Sequence, residues 1–188
     1  VITLGSRAAK AYKASGYSAP DIVGASYASP QSNSDGRGIG LSPDPAAVVN
    51  LLGNAAPELR RLWVVFNPAR DQWAIDQAAA VAAQRSLQLV ALEATDLSSA
   101  AKRFVEVFQK ATPGRDALWV LEDTGILNTR TMMPYIVEKS WARDIPVVSN
   151  RLLHAEFGAA LSVYPDTLRL GEALGVLALR MAQGEEPT

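Results

Sequence analysis

Between residues 61 and 150 short apolar runs alternate with longer amphipathic segments. Residues 61–66 (RLWVVF) read as a buried strand, and 71–86 as an Ala-rich helix with Ile75, Ala78, Ala79 and Ala82 near helical spacing. Residues 87–93 predict a strand, and 97–111 a helix with Phe104, Val107 and Phe108 on one face. Strand 117–121, helix 131–143 and strand 145–148 complete the series, which closes at Ser149-Asn150. Four strands alternating with three helices predict a parallel sheet covered on both faces. In such sheets ligands meet the loops at the carboxyl ends of the strands. The candidate chemistry therefore falls at residues 122–128 and around Asn150.

The flanks continue the alternation more weakly. Residues 1–4 form a short apolar strand running into Gly5-Ser6, residues 7–14 have helical propensity, and 21–26 read as the next strand. From Ser29 to Gly40 the composition shifts to Ser, Asn, Gly and Asp, which predicts a connection and a lobe boundary. Ser42-Pro43-Asp44-Pro45 starts a helix. Beyond Asn150 the pattern gives a short helix at 151–157, a strand at 159–163 and a helix at 167–182 that stops at Gly184 and Pro187. The domain reading is a partial N-terminal lobe at 1–36, a complete α/β lobe at 37–150, and a return segment at 151–188.

Composition narrows the function classes. The chain of 188 residues is 48% hydrophobic, enough for a substantial core. A net charge of -1 argues against a nucleic-acid or anionic-membrane partner. The absence of cysteine excludes thiol catalysis, disulfides and thiolate metal sites. No apolar run reaches the ~18 to 20 residues of a membrane span. Val1 stands where Met would start a chain, which points to a trimmed form or a mature product without its signal peptide. No GxGxxG or P-loop occurs: Gly36, Gly38 and Gly40 alternate in a connection with no strand before them. His154, the only histidine, lies in a short helix without a paired nucleophile and reads as a surface or interface residue. Trp63, Trp119 and Trp141 read as core aromatics. No catalytic residue, metal site or cofactor is expected.

Five stretches together carry a resemblance: GSRAAKA after the first strand, GIGLSPDP, RRLWVVFNPARDQW, DALWVLEDTGILNTRTMMPYIVEKSWARDIPVVSN, and GAALSVYPDTLRLGEALGVLALRMAQGEEP. In this order they resemble the substrate-binding proteins of ABC transporters, the two-lobed, type I class of periplasmic-binding-protein-like domains. The resemblance implies two doubly wound lobes joined by crossovers and a small ligand entering between lobes that close as a hinge. It also implies a periplasmic or extracytoplasmic location, no enzymatic turnover, and a membrane permease or sensor protein as partner. A full-length relative would carry further strand-helix units before Val1, so the chain resembles one complete lobe joined to part of another, as a fragment or a naturally short form. A sheet that starts late leaves an unpaired edge, which invites a homodimer.

The resemblance assigns the turn at Gly5, Ser6 and Arg7 to ligand contact; the same turn read alone is a helix cap with Arg7 solvated. Tyr27 and Ser29 follow the second strand and face the cleft. Asn67, Gln72 and Trp73 follow RLWVVF: Asn67 either donates its amide to a ligand or makes an Asn-Pro turn, and Trp73 either walls a ring or packs on its own helix. Asp123, Thr124 and Asn128 follow the third strand, where Asp123 can pair with a ligand ammonium or all three can cap the next helix. Tyr164 and Asp166 end the returning strand near the hinge, with Asp166 read as a helix cap. This set suits an amino acid or another small zwitterion. Two alternatives stay open: a short receptor-like module acting through protein contact with a sensor or transporter, and an enzyme on a flavodoxin-like sheet.

Overall fold

The structure, a computed structural model, describes residues 1–26, 38–123 and 125–185. The fold is α/β with parallel sheets, and the chain divides into two compact units. Unit 1 comprises Val1–Ser42 and Pro165–Thr188, and unit 2 is Pro43–Tyr164.

Unit 2 holds α2 (Pro45–Ala55), β4 (Arg61–Phe66), α3 (Pro68–Gln84), β5 (Gln88–Glu93), α4 (Leu97–Lys110), β6 (Asp116–Val120), α5 (Thr129–Arg143), β7 (Val147–Ser149), α6 (Leu153–Glu156) and β8 (Leu161–Ser162). Its five strands run parallel in the order β5-β4-β6-β7-β8. The first strand in sequence, β4, is paired by β5 on one side and β6 on the other, so the winding reverses between β4 and β6.

Alternate strand residues feed two cores. On one face Leu62, Val64, Phe66 and Trp119 meet Val48 and Leu52 of α2 and Ile75 and Ala78 of α3. On the other, Trp63, Val65, Leu118 and Val120 meet Phe104 and Val107 of α4 and Met133 and Ile136 of α5. Burial on both faces is why these strands read as unbroken apolar runs.

The four longer helices of unit 2, α2 to α5, each start at a side chain that accepts from their free N–H groups, whereas the short α6 has no such cap. Asp44 caps α2 and Asn67 caps α3, each followed by Pro in the first turn. α3 therefore begins at Pro68, ahead of the expected residue 71. Asp96 and Ser99 form a capping box on α4, and Asn128 caps α5.

Unit 1 holds β1 (Ile2–Leu4), α1 (Gly5–Ala14), β2 (Ile22–Ser26), β3 (Gly38–Gly40) and α7 (Thr167–Ala182), with a parallel sheet in the order β1-β2-β3. β3 corrects the expectation of a connection at 29–40. Gly-Ile-Gly pairs with β2 through its backbone, which side-chain composition does not report. The register slips between Gly24 and Ser26, where Ala25 has φ +54° and bulges the strand. Gly24 lies beneath α7, where a Cβ would push the Leu174 methyl groups aside.

The expected return segment at 151–188 is split. Residues 151–164 belong to unit 2 because β8 hydrogen-bonds to β7, whereas α7 packs on β2 and β3 of unit 1. Trp141, expected in the core, is 69% exposed at the end of α5 and donates its indole N–H to the Gly158 carbonyl at 3.1 Å. It follows Ser140, the last buried residue of α5, and stands one turn beyond Val137.

Candidate functional site

The loops after β4, β6 and β7 stand side by side at the carboxyl edge of the unit 2 sheet, around the point where the winding reverses. Open parallel sheets leave a crevice at such a point, because the helices leaving the two strands depart to opposite faces. Here α3 leaves β4 on one face and α5 follows β6 on the other.

Two ion pairs line this rim. Arg70, in the first turn of α3, donates from Nη1 to Asp123 Oδ1 at 2.5 Å. Arg151, just past β7, donates from Nη1 to Glu122 Oε1 at 2.9 Å. Adjacent acids after β6 thus turn to different arginines, one after β4 and one after β7. Asp123 Oδ1 also accepts the Gly125 N–H at 2.8 Å. A Cβ on Gly125 would lie 3.2 Å from that oxygen, so glycine is what permits the close approach. Asp123 Oδ2 is buried without a hydrogen-bond partner.

Asp71 lies beside this pair with its own Oδ2 buried and unpartnered. Its pKa is pushed up to about 6, chiefly by burial and then by the Asp123 charge, with Arg70 opposing. Burial likewise raises Glu122 against the pull of Arg151.

His154 was expected at the surface without a partner, and the structure corrects both points. It is fully buried, and its Nδ1 lies 2.6 Å from Ser149 Oγ, while Nε2 lies 3.4 Å from Thr129 Oγ1. Ser149 Oγ also accepts the Arg151 N–H at 3.1 Å. Burial, then the Arg151 charge, lowers the histidine pKa to about 4. This hydroxyl–imidazole pair is buried and ties the end of β7 to α6. Nearby, Trp119 donates its indole N–H to Asn150 Oδ1 at 2.7 Å.

The residues singled out from sequence distribute as follows. Asn67 uses its side-chain oxygen to cap α3, accepting the Ala69 N–H at 3.1 Å, and Asn128 accepts the Thr131 N–H at 3.2 Å. Gln72 is exposed and donates to Asp76 one turn on, at 2.8 Å. Trp73 is half-buried on α3. Asp123 is at the rim, but its carboxylate is buried against Arg70 and not open to a ligand ammonium. Tyr27, Ser29 and Thr124 lie outside the described residues.

Gly5 sits in unit 1 with φ +83° at the turn from β1 into α1, which accounts for glycine there, and Ser6 and Arg7 are exposed. Tyr164 is exposed just after β8, at the end of unit 2, and Asp166 caps α7 by accepting from Leu168 and Arg169 N–H. The rim thus gathers Asn67, Asp123 and Asn128, and leaves Gly5, Ser6 and Arg7 to unit 1.

Sequence reasoning missed Arg70, Asp71 and Arg151. A signal was present, because each follows a buried strand by two to five residues: a charge so close to the end of a parallel strand stands at the ligand edge.

A depression lined by Ser140, Trp141, Asp144, Ile145, Pro146 and Ala160 lies beside the amino ends of β7 and β8, away from this rim. It holds none of the ion pairs and adds nothing to the crevice. Among the described residues no group of three His, Asp or Glu could hold a metal ion, and no helix is long and apolar enough to cross a membrane.

No protein-family model matches the chain, and no curated protein does. Solved structures do match in fold. A substrate binding protein with adhesive properties from Clostridium difficile, in its ligand-free open form, superposes at a TM-score of 0.70 and 17% identity over 98% of this chain and 64% of its own. The ABC domain from Streptococcus pneumonia in complex with L-Trp gives 0.69 and 18% over 100% and 66%. A conserved domain protein from Vibrio cholerae gives 0.68 and 18% over 99% and 64%. The chain therefore spans just under two thirds of the length of these structures and shares their fold.

Proposed function

We propose that this chain is a non-enzymatic, extracytoplasmic solute-binding protein, in which the carboxyl-end rim of unit 2 contacts a small polar ligand and a membrane permease or sensor receives the result. The observation that carries the reading is the rim at the carboxyl ends of β4, β6 and β7, where the Arg70 and Arg151 side chains are partly exposed and Asn67 and Asn128 stand at the helix starts. The fold shared with substrate-binding proteins over nearly the whole chain supports it. An enzyme on this sheet would need a reachable nucleophile or acid-base pair. The hydroxyl–imidazole pair at Ser149 and His154 is buried, which favours binding without turnover.

A second reading has its own observation. Val1, Ile2, Leu4 and Tyr17 of unit 1 are exposed, and β1 is an edge strand, so a module that works through protein contact, or a homodimer through that edge, would use this surface.

A thermal-shift screen with amino acids, small carboxylates, sugars, purines and nucleotides tests the first reading. A solute held only by the folded chain adds roughly 2.7 kcal/mol at 100 times its dissociation constant. A cooperative melt that no compound moves rejects solute binding and leaves the protein-contact module.

A further inference from the structure

The two rim ion pairs are built the same way round. The Arg70 side chain is 42% exposed against 0% for Asp123, and Arg151 is 36% exposed against 12% for Glu122. In each the acid is inside and the guanidinium faces solvent, so a solute reaching the rim meets cationic donors first. Asp123 gives Oδ1 to Arg70 and Gly125, and Oδ2 is out of reach of solvent. Arg70 in turn uses only Nη1, and its Nε and Nη2 make no hydrogen bond among the described residues. A guanidinium presents its N–H groups in a fixed planar fork, and an edge left open in this way matches the two oxygens of a carboxylate.

We infer that Arg70 is the specificity-determining residue of the rim, that its open edge takes the carboxylate of a small organic acid or amino acid, and that Asp123 is a positioning residue for the guanidinium and not the receptor of a ligand amine. The inference rests on the solute-binding reading above and replaces the ammonium contact expected at Asp123 from sequence. Asp123 holds the fork from behind, Gly125 fixes Asp123, and Arg151 adds a second cation to the same edge.

The test is isothermal titration of the full chain, at constant ionic strength, with matched probes. These are acetate, acetamide and methylammonium; 3-phenylpropionate, its amide and phenethylamine; and phenylalanine. The acids, or phenylalanine, bind, and the amides and amines do not. Arg70→Lys keeps the charge but loses the fork, and weakens the bound acid by about 10- to 100-fold, the loss expected for a charge-assisted hydrogen bond. Asp123→Asn keeps the preference for acid over amine, whereas a chain that bound amines through Asp123 would lose its ligand. If Arg70→Lys fails to fold, this second variant decides.

An amine binding as well as its acid overturns the inference, as does unchanged acid affinity in a folded Arg70→Lys. If none of these probes binds but a sugar or nucleotide shifts the melting temperature, solute binding stands and the carboxylate assignment falls. If nothing shifts it, both fall.

Discussion

Units 1 and 2 are both parallel α/β pieces, yet their described residues bury apolar surface to different degrees. Unit 2 covers a five-stranded sheet on both faces with two separate apolar cores. Among the described residues of unit 1 the buried apolar side chains are Ala9, Ile22, Val23 and Leu174, while Ile2, Leu4, Leu168 and Leu179 stay exposed. Both units have strands, helices and helix-starting turns. What separates them is how much apolar surface each strand hides, the dominant favourable term in folding. The comparison teaches that secondary structure in this chain does not measure stability, and that the candidate rim belongs to the unit able to hold a fixed geometry.

The largest expected effect bears directly on that contrast. Leu62→Ala, which empties a fully buried position in β4, should cost about 2 to 5 kcal/mol in denaturant unfolding. A loss below about 1 kcal/mol would mean that unit 2 is loosely packed and the comparison fails.

Next in size is acid sensitivity, where two groups of unit 2 act in opposite directions. His154 is lowered from 6.5 to about 4, so the unfolded chain holds its proton more tightly. Its contribution is full above pH 6.5 and is lost as pH falls toward 4, amounting to at most about 3 kcal/mol at about 1.4 per pKa unit. Asp71 is raised from 3.8 to about 6, so its contribution is full below pH 3.8 and is lost as pH rises through 6. His154→Gln should therefore flatten the fall in stability between pH 6.5 and 4, and Asp71→Asn should stabilise the chain at pH 8 relative to pH 4. Parallel stability–pH curves for wild type and both variants would rule out these environments.

Leu174→Ala, at the buried leucine of α7, should cost about 2 kcal/mol, the low end for a buried leucine, because the packing beside it is open. If the loss appears as a separate early transition with unit 2 intact, the units unfold independently. Leu168→Ala, on the exposed side of α7, should stay within about 0.5 kcal/mol. A larger loss would reveal that this face is covered in solution.

The difference between the units also explains what could be read from sequence. Strands β4, β6 and β7 are buried on both faces and the edge strand β5 is still apolar along its middle, so apolar runs and helical periodicity gave element types and order, and the carboxyl edge followed from the parallel topology. β3 could not be read, because Gly-Ile-Gly contributes backbone pairing and almost no side chain. The burial of His154 depends on Ser149 and Thr129, and the exposure of Trp141 on where the burial of α5 ends, and neither is encoded locally. At the rim, Asn67, Asp123 and Asn128 were legible as residues that end strands or begin helices. Which of them stays open to solvent was not, because it depends on Arg70 reaching from the β4 loop to Asp123, 53 positions away.

Unit 2 is one continuous stretch of chain, whereas unit 1 is assembled from both ends of it. Synthesis runs toward the carboxyl end, so β1, β2 and β3 leave the ribosome before unit 2, and Gly24 stays uncovered until α7 follows unit 2. Unit 2 meanwhile has every strand it needs once β8 has left the ribosome, and domains generally fold as units while they are made. Unit 2 can therefore close while the sheet of unit 1 still lacks its covering helix, which leaves β1, β2 and β3 open to chaperones and to mispairing in the interval.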